Sequence, residues 1–320
     1  MAVLVFGSVN LDLTVRVPGL PAPGETALGL GALETAAGGK GANQALAARR
    51  AGLGQVRLVA AVGRDAFAQP ALALLQAEGV DITCVGRGDS ATGVALIAVD
   101  GAGENQIAVA PGANATLSAD SVPGEWLTSD TVLSLTLEVP VGEVLALARR
   151  AAAQGCRIVL NAAPAMPVPA ELLDLLSVLI VNRHEAPAMA RHVGLAADTA
   201  MEAARALARG RKAAVVVTLG GDGALSFSGA ESWRVPALPL ERVVDSTGAG
   251  DAFAGTLAAA LDKSMDFAPA LARASAAGAL ACTKPGAQPA MPSAGEIDAA
   301  LARLAPVRKI DDHEDTKARR

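Results

Sequence analysis

The sequence predicts an α/β protein: a three-layer α/β/α domain on a mainly parallel sheet, with a small β lid set apart from it. Two observations carry the main domain. Apolar strand-like runs recur at residues 3–9, 56–62, 131–135, 157–160, 178–181 and 214–219, with alanine-rich helical stretches between several of them. Several of the runs are apolar on both faces, and strands that alternate with helices and bury both faces belong in a covered parallel sheet. A third observation points to the lid. Residues 11–34 alternate apolar and polar positions around Pro18, Pro21 and Pro23, and 92–99 with 105–109 read as a second hairpin. These segments either leave the main sheet as a small antiparallel flap or run as surface loops.

A chain of 320 residues is long enough for one large α/β domain or two ordinary ones, with room for a lid. Hydrophobic residues make up 52% of it, much of this alanine, and no apolar stretch approaches an unbroken membrane-spanning length. The start enters Val3-Leu4-Val5-Phe6 directly, without a secretory pattern, so a soluble cytoplasmic protein is expected. Cys84, Cys156 and Cys282 are odd in number and widely spaced, which fits reduced thiols better than a disulfide framework or a zinc site. A net charge of −5 and 2% aromatic residues offer neither a basic footprint nor stacking platforms, which excludes nucleic acid as a partner. Residues 306–320 are dense in charge and nearly free of core residues, and are expected to be a solvated or disordered tail.

The most informative run is Val243-Val244-Asp245-Ser246-Thr247-Gly248-Ala249-Gly250-Asp251-Ala252-Phe253, which passes from an apolar strand through a glycine-rich turn into a small-residue helix. Gly248 and Gly250 permit a tight turn and close approach, and the free N–H groups of a first helical turn favour an anion such as phosphate. Asp251 at that mouth either caps the helix or takes a proton from an attacking hydroxyl. In the second reading the helix dipole lowers its proton affinity and leaves it ionised at neutral pH.

Other segments add polar groups in similar settings. Gly38-Gly39-Lys40-Gly41-Ala42-Asn43-Gln44-Ala45 precedes a helix but fails the phosphate-loop pattern, because Gly41 follows Lys40 where Ser or Thr is needed. Lys40 and Asn43, with close backbone approach at Gly39, suit a hydroxyl-rich ligand; a solvated Lys and a capping Asn are the plain alternative. Asn10 and Asp12 fall on one face of an extended segment by its two-residue period, and both could grip vicinal hydroxyls. Glu138 stands at the carboxyl end of a strand, where open α/β sheets put their ligands. The strand ending in Thr218-Leu219-Gly220-Gly221-Asp222-Gly223 either approaches a nucleotide or turns back as a hairpin. Asn182 and Glu185 follow a strand and either cap the next helix or stand near a magnesium-bound phosphate. His184, His192 and His313 have no metal-ligand spacing.

Taken in order with Gly7-Ser8-Val9-Asn10-Leu11-Asp12, Thr92-Gly93-Val94, Gly103-Glu104-Asn105, Gly112-Ala113-Asn114 and Lys284-Pro285-Gly286-Ala287-Gln288-Pro289, these segments resemble the ribokinase-like carbohydrate kinase family over nearly the whole chain. The resemblance implies a large domain from 1–11, 46–90 and 113–305 and a β lid from 12–45 and 91–112, the lid often pairing with that of a second subunit as a homodimer. It implies that Asn10, Asp12, Gly39, Lys40, Asn43 and Glu138 hold a sugar and that Asp251 is the base for its primary hydroxyl. Gly248, Ala249 and Gly250 would form the anion hole. Asn182, Thr218, Gly220, Gly223 and Ser275, with Gly250, would hold ATP, and Asn182 with Glu185 would position Mg2+ through water. Asp245, Thr247, Ala281, Lys284 and Gly286 match the loop pair that holds a monovalent cation, K+; Ala290 stands where a hydroxyl is usual, so weaker activation by K+ is expected. The implied activity is ATP-dependent phosphorylation of D-ribose at the 5-hydroxyl. The rival acceptors are another furanose or a nucleoside, and a sugar sensor without catalysis is the remoter reading.

Overall fold

Along β1 (Ala2–Phe6) the side chains alternate between two apolar cores, Val3 and Val5 entering one and Leu4 and Phe6 the other. A strand with no polar face needs a cover on each side, and the chain supplies one from each flank. The computed structural model describes residues 2–52, 54–229 and 231–310. In chain order, β2 (Asn10–Arg16) and β3 (Glu34–Gly38) precede helix α1 (Lys40–Ala51), and β4 (Gln55–Gly63) precedes α2 (Ala68–Ala77). Then come β5 (Val85–Gly88), β6 (Gly93–Val99), β7 (Asn105–Ala110), β8 (Thr131–Thr136), α3 (Val141–Ala153), β9 (Arg157–Asn161) and α4 (Ala170–Asp174). They are followed by β10 (Val178–Asn182), α5 (Glu185–His192), α6 (Ala200–Ala208), β11 (Ala214–Thr218), β12 (Ala224–Phe227) and β13 (Ser232–Val235). The last elements are α7 (Ala249–Asp262), α8 (Phe267–Ala281), α9 (Ala294–Leu301) and β14 (Arg308–Lys309).

The main sheet runs β14-β13-β12-β11-β10-β9-β8-β1-β4-β5 among the described residues. From β11 to β5 all pairs are parallel, and β12, β13 and β14 extend the edge antiparallel. Helices α1, α2, α7 and α8 bury residues such as Leu46, Leu72, Leu257 and Leu271 on one face, while α3, α5 and α6 bury Leu147, Met189 and Leu207 on the other. Two helices start on capping boxes, Thr199 with Glu202 before α6 and Ser293 with Glu296 before α9. No helix among the described residues is long and apolar enough to cross a membrane.

The alternating segments do form a second, four-stranded sheet, ordered β3-β2-β6-β7, and not surface loops. It differs from the expectation in three respects. The run expected as one strand over 3–9 stops at Phe6, turns through Gly7, Ser8 and Val9, and resumes as β2 in the other sheet. The flap is mixed, since β2 and β6 pair in parallel; the chain returns to the main body between β3 and β6, so β6 re-enters running in the direction of β2. Residues 40–45, placed with the lid on sequence, are the first turns of α1 and pack in the main core. Four short passages join the two sheets: 7–9, Gly39, 89–92 and Pro111 with the turn after it.

The expected tail also begins later than 306. Trp233 and Arg234 of β13 pair with Lys309 and Arg308, and Lys309 bonds Glu231 at 2.6 Å with its ammonium 5.3 Å from the Trp233 ring. Charge density misled the reading here because an edge strand can be solvated on both faces. Residues 311–320 lie outside the described residues.

Candidate active site

The carboxyl ends of the parallel strands deliver Asn161, Asn182 and Thr218 to one rim, and Glu138 follows β8 two residues beyond its end. Helix α7 starts at the same rim. Gly248, just before it, has φ 76°, and a Cβ there would stand 2.9 Å from that of Ala287, so both backbone and space demand glycine. Asp251 lies in the first turn and is 5% exposed. Its two carboxylate oxygens accept from different side chains of α1, Oδ2 from Asn43 Nδ2 at 2.9 Å and Oδ1 from Gln44 Nε2 at 3.1 Å. Glycine makes that approach possible. A Cβ on Gly255 would strike the Gln44 carbonyl, and one on Gly41 would lie 2.6 Å from the Ser8 nitrogen.

On the small-sheet side, Asn10 and Asp12 share a face of β2, as their spacing predicts. Asn10 Oδ1 accepts from Asn114 Nδ2 at 2.7 Å, and Asn114 is itself locked to the Val9 backbone by bonds of 2.9 and 3.1 Å. Gly39 has φ 90°, and a Cβ on it would lie 2.7 Å from the Asn10 nitrogen. Glu138 Oε2 accepts from Ser8 Oγ at 2.5 Å and from the Lys40 N–H at 3.1 Å, while Lys40 Nζ is 3.9 Å from Oε1. The expected sugar-side residues therefore converge with Asp251.

The charges there are mutually perturbed. Burial, with the nearby carboxylates of Glu138 and Asp251, pushes the Asp12 carboxyl up to about 6 against the pull of Lys40. Burial disfavours the Lys40 cation, but Asp251, Glu138, Glu185 and Asp12 outweigh it and hold the ammonium above its ordinary value. For Asp251 the expected direction is reversed. Burial pushes its pKa up, with the Glu138 carboxylate adding to it, more strongly than Lys40, Asn43 and Gln44 pull it down.

Two adjoining cavities open beside this cluster. One of about 310 Å³ is lined by Gly220, Gly223, Leu238, Val243 and Ser275, and one of about 210 Å³ by Lys40, Asn161, Asn182, Glu185, Gly248 and Asp251. Thr218, Ser246 and Gly250 line both, so the two adjoin across these residues. β11 and β12 form the hairpin that the sequence allowed, and Gly220, Gly221 and Gly223 of its turn line the larger cavity. Asn182 Oδ1 accepts from the N–H groups of His184 and Glu185, each at 2.8 Å, closing the turn into α5 while the residue lines the smaller cavity. Burial raises the Glu185 carboxyl against a bond from the Asn182 N–H and the charge of Lys40. Ser275 Oγ donates to the Pro236 carbonyl at 3.1 Å. In the expected anion hole, the Ala249 N–H already donates to the Ser246 carbonyl at 3.2 Å, whereas Gly250 has nothing within 4 Å of where a Cβ would stand.

The expected cation loops are tied together. Asp245 accepts from Thr247 N–H at 2.9 Å and Oγ1 at 2.6 Å, and from Gly286 N–H at 2.8 Å. These bonds and the charge of Arg16 overcome burial and hold its carboxyl low. Ala281 ends α8, where helix carbonyls lack intrahelical partners and carry partial negative charge, so the donor set suits a monovalent cation held by carbonyls. Lys284 turns its ammonium to Glu296 at 2.9 Å, leaving only its backbone for such a role, and Ala290 brings no hydroxyl. No cluster of three His, Cys, Asp or Glu able to hold a metal occurs among the described residues.

Sequence reasoning quoted Asn114, Ser8 and Gln44 inside motifs without giving them work. Each is engaged with a residue of the cluster. Their contacts span 33 to 207 positions, which no local periodicity can report.

The family model described as pfkB family carbohydrate kinase matches residues 2–294. A ribokinase of Lactococcus lactis is 31% identical over 304 residues, covering 94% of this chain and 97% of that protein. The crystal structure of a ribokinase from Thermotoga maritima superposes with a TM-score of 0.87 at 31% identity, over 94% of this chain and 99% of that one. The Arabidopsis thaliana ribokinase complexed with ribose and ATP gives 0.83 at 29% identity, over 93% and 98%.

Proposed function

The chain belongs to the pfkB family of carbohydrate kinases, and on that premise we propose that it transfers the terminal phosphoryl group of ATP to the 5-hydroxyl of D-ribose. One observation carries the reading. A buried carboxylate, Asp251, lies where the Asn10, Asp12, Lys40, Asn43 and Glu138 cluster meets a cavity floored by the amino end of α7. In this reading Asn10, Asp12, Gly39, Asn43 and Glu138 orient the sugar, and Asp251 takes the proton from its attacking hydroxyl. The first-turn N–H groups of α7 and the Lys40 ammonium stabilise the charge on the transferring group. Gly248 and Gly250 carry the anion hole, because the Ala249 N–H is spent on Ser246. The larger cavity, with Thr218, Gly220, Gly223 and Ser275 on its wall, takes the nucleotide.

Asn182 and Glu185 would hold Mg2+ through water, and Asp245, Thr247, Ala281, Lys284 and Gly286 would hold K+; when bound, these ions neutralise phosphate charge and order the turn. The small sheet acts as a lid and as the contact of a homodimer. Ile107 and Val109, 56% and 51% exposed, share by register the face that carries Asn10 and Asp12, an apolar surface that a second copy would cover. Three free cysteines support a cytoplasmic setting.

An ATP-consumption assay over D-ribose, deoxyribose, fructose and nucleosides tests the proposal. The expected result is the highest kcat/KM with D-ribose and, for Asp251→Asn, a loss on the order of 10²–10⁴-fold in kcat. Preference for a nucleoside would overturn the substrate, and ribose binding without ATP consumption would overturn the reaction.

A further inference from the structure

Gln44 is fully buried, yet neither the sugar nor the nucleotide reading uses it. Its carboxamide bridges two layers. Ser134 Oγ, on β8 and likewise fully buried, donates to Gln44 Oε1 at 3.0 Å, and Gln44 Nε2 donates to Asp251 Oδ1 at 3.1 Å. The neighbouring Asn43 is different: its Nδ2 holds the other Asp251 oxygen, but its Oδ1 has no partner and is left for a ligand. Gln44 has both ends engaged inside the protein.

The carboxylate decides which way the amide points. A flipped carboxamide would set its carbonyl oxygen against Asp251, two acceptors in contact, whereas the Ser134 hydroxyl can donate or accept and here donates to the oxygen that the carboxylate turns toward it. The donors of the Ser134–Gln44–Asp251 chain thus all run toward the carboxylate, and each polarises the next. We infer that Gln44, braced at its oxygen by Ser134, is a positioning residue that holds the Asp251 carboxylate in plane and ionised for proton abstraction. The inference rests on the reading of Asp251 as proton acceptor.

The electrostatic setting makes that anchor consequential. Enclosure and the Glu138 carboxylate favour the protonated form of Asp251; Asp12 and Glu185 also face it with like charge, and Lys40, Asn43 and Gln44 oppose them. Hydrogen bonds from Asn43 and Gln44 fix one oxygen each. Removing the Gln44 donor frees Oδ1, lets the carboxylate rotate about its remaining bond, and raises its proton affinity. Since the ionised form is the acceptor, the acid limb of the rate must then move to higher pH.

The experiment compares the parent with Gln44→Met, which keeps side-chain length and loses the donor, reading kcat and the KM for D-ribose from pH 5 to 9. Expected are a fall in kcat at pH 7 on the order of 10- to 100-fold, a KM within about threefold, and an acid limb about 1 pH unit higher. Ser134→Ala, which leaves Gln44 Oε1 without its donor and loosens the carboxamide, moves both readouts the same way by less. Gln44→Glu moves the limb further than Gln44→Met, because two adjacent carboxyls share one proton. A raised KM with parental kcat and an unmoved limb would reduce Gln44 to packing and overturn the inference. Should Gln44→Met not fold, Ser134→Ala decides on the same two readouts, and parental values there overturn it. Asp251→Asn separates the two levels: parental activity in that variant removes the base assignment itself, whereas its inactivity beside a parental Gln44→Met removes only the positioning role.

Discussion

Asp12→Asn should make the protein more stable and a worse enzyme, with a pH signature that identifies the cause. The Asp12 carboxyl is displaced from 3.8 to about 6 by burial and by Glu138 and Asp251, so it binds its proton more tightly folded than unfolded. Its ionisation therefore costs stability as pH rises through that interval, and the cost is complete above about pH 6. At ~1.4 kcal/mol per pH unit the displacement corresponds to roughly 3 kcal/mol at neutral pH. That figure already includes the attraction of Lys40, and partial exposure trims the gain from an uncharged amide to about 1–2 kcal/mol, or about 2–5 °C in Tm. The assay is thermal or urea unfolding of the sugar-free protein at pH 7.5 and pH 5, where the advantage of the variant should be roughly halved. Calorimetry of D-ribose binding should show about 10- to 100-fold weaker affinity, since a charged acceptor for a sugar hydroxyl is gone. A variant less stable than its parent at pH 7.5, or an advantage that does not shrink on acidification, would refute the reasoning.

Gly250→Ala adds a methyl group that meets no atom within 4 Å and sits in a helix, so Tm should hold or rise slightly while kcat/KM for ATP drops about 10- to 100-fold; steady-state kinetics with parental rates would free the opening from any phosphate role. Ile107→Lys places a charge on the exposed apolar face of the small sheet and should convert a dimer to a monomer in light scattering. A parent that is already monomeric removes that contact. Replacing K+ by tetramethylammonium should lower both activity and Tm modestly, in line with Ala290 in place of a hydroxyl residue; an unchanged Tm and rate would count against the loop pair.

What sequence could and could not disclose follows from range. The Gly248–Asp251 turn was legible because strand, glycines, carboxylate and helix mouth are neighbours in the chain. Asn10 and Asp12 were legible through a period of two, although the boundary between the sheets was drawn after residue 11 and left Asn10 with the main body: the break at Gly7 looks locally like more of the same apolar run. Glycine close contacts such as Gly255 against Gln44 have no local signature, since the missing Cβ is explained only by a helix two hundred positions away. The direction of the Asp251 pKa was misjudged for the same reason. A dipole belongs to its own helix, but burial is contributed by α1 and β8, which sequence order does not place beside it. The edge pairing of Arg308 and Lys309 was hidden by composition, which cannot distinguish a solvated strand from a solvated coil.

The parallel pairing of β2 with β6 has a consequence for how the molecule comes together. Residues 10–38 alone can make only the β2–β3 pair, and residues 93–110 alone only β6–β7. Two-stranded hairpins of this kind are marginal in water, so neither half persists until β1, α1, β4 and β5 have assembled and fixed the intervening crossings. The smaller sheet must then be the last unit to consolidate and the first to melt. A weakened protein would lose its grip on a sugar well before its main core opened.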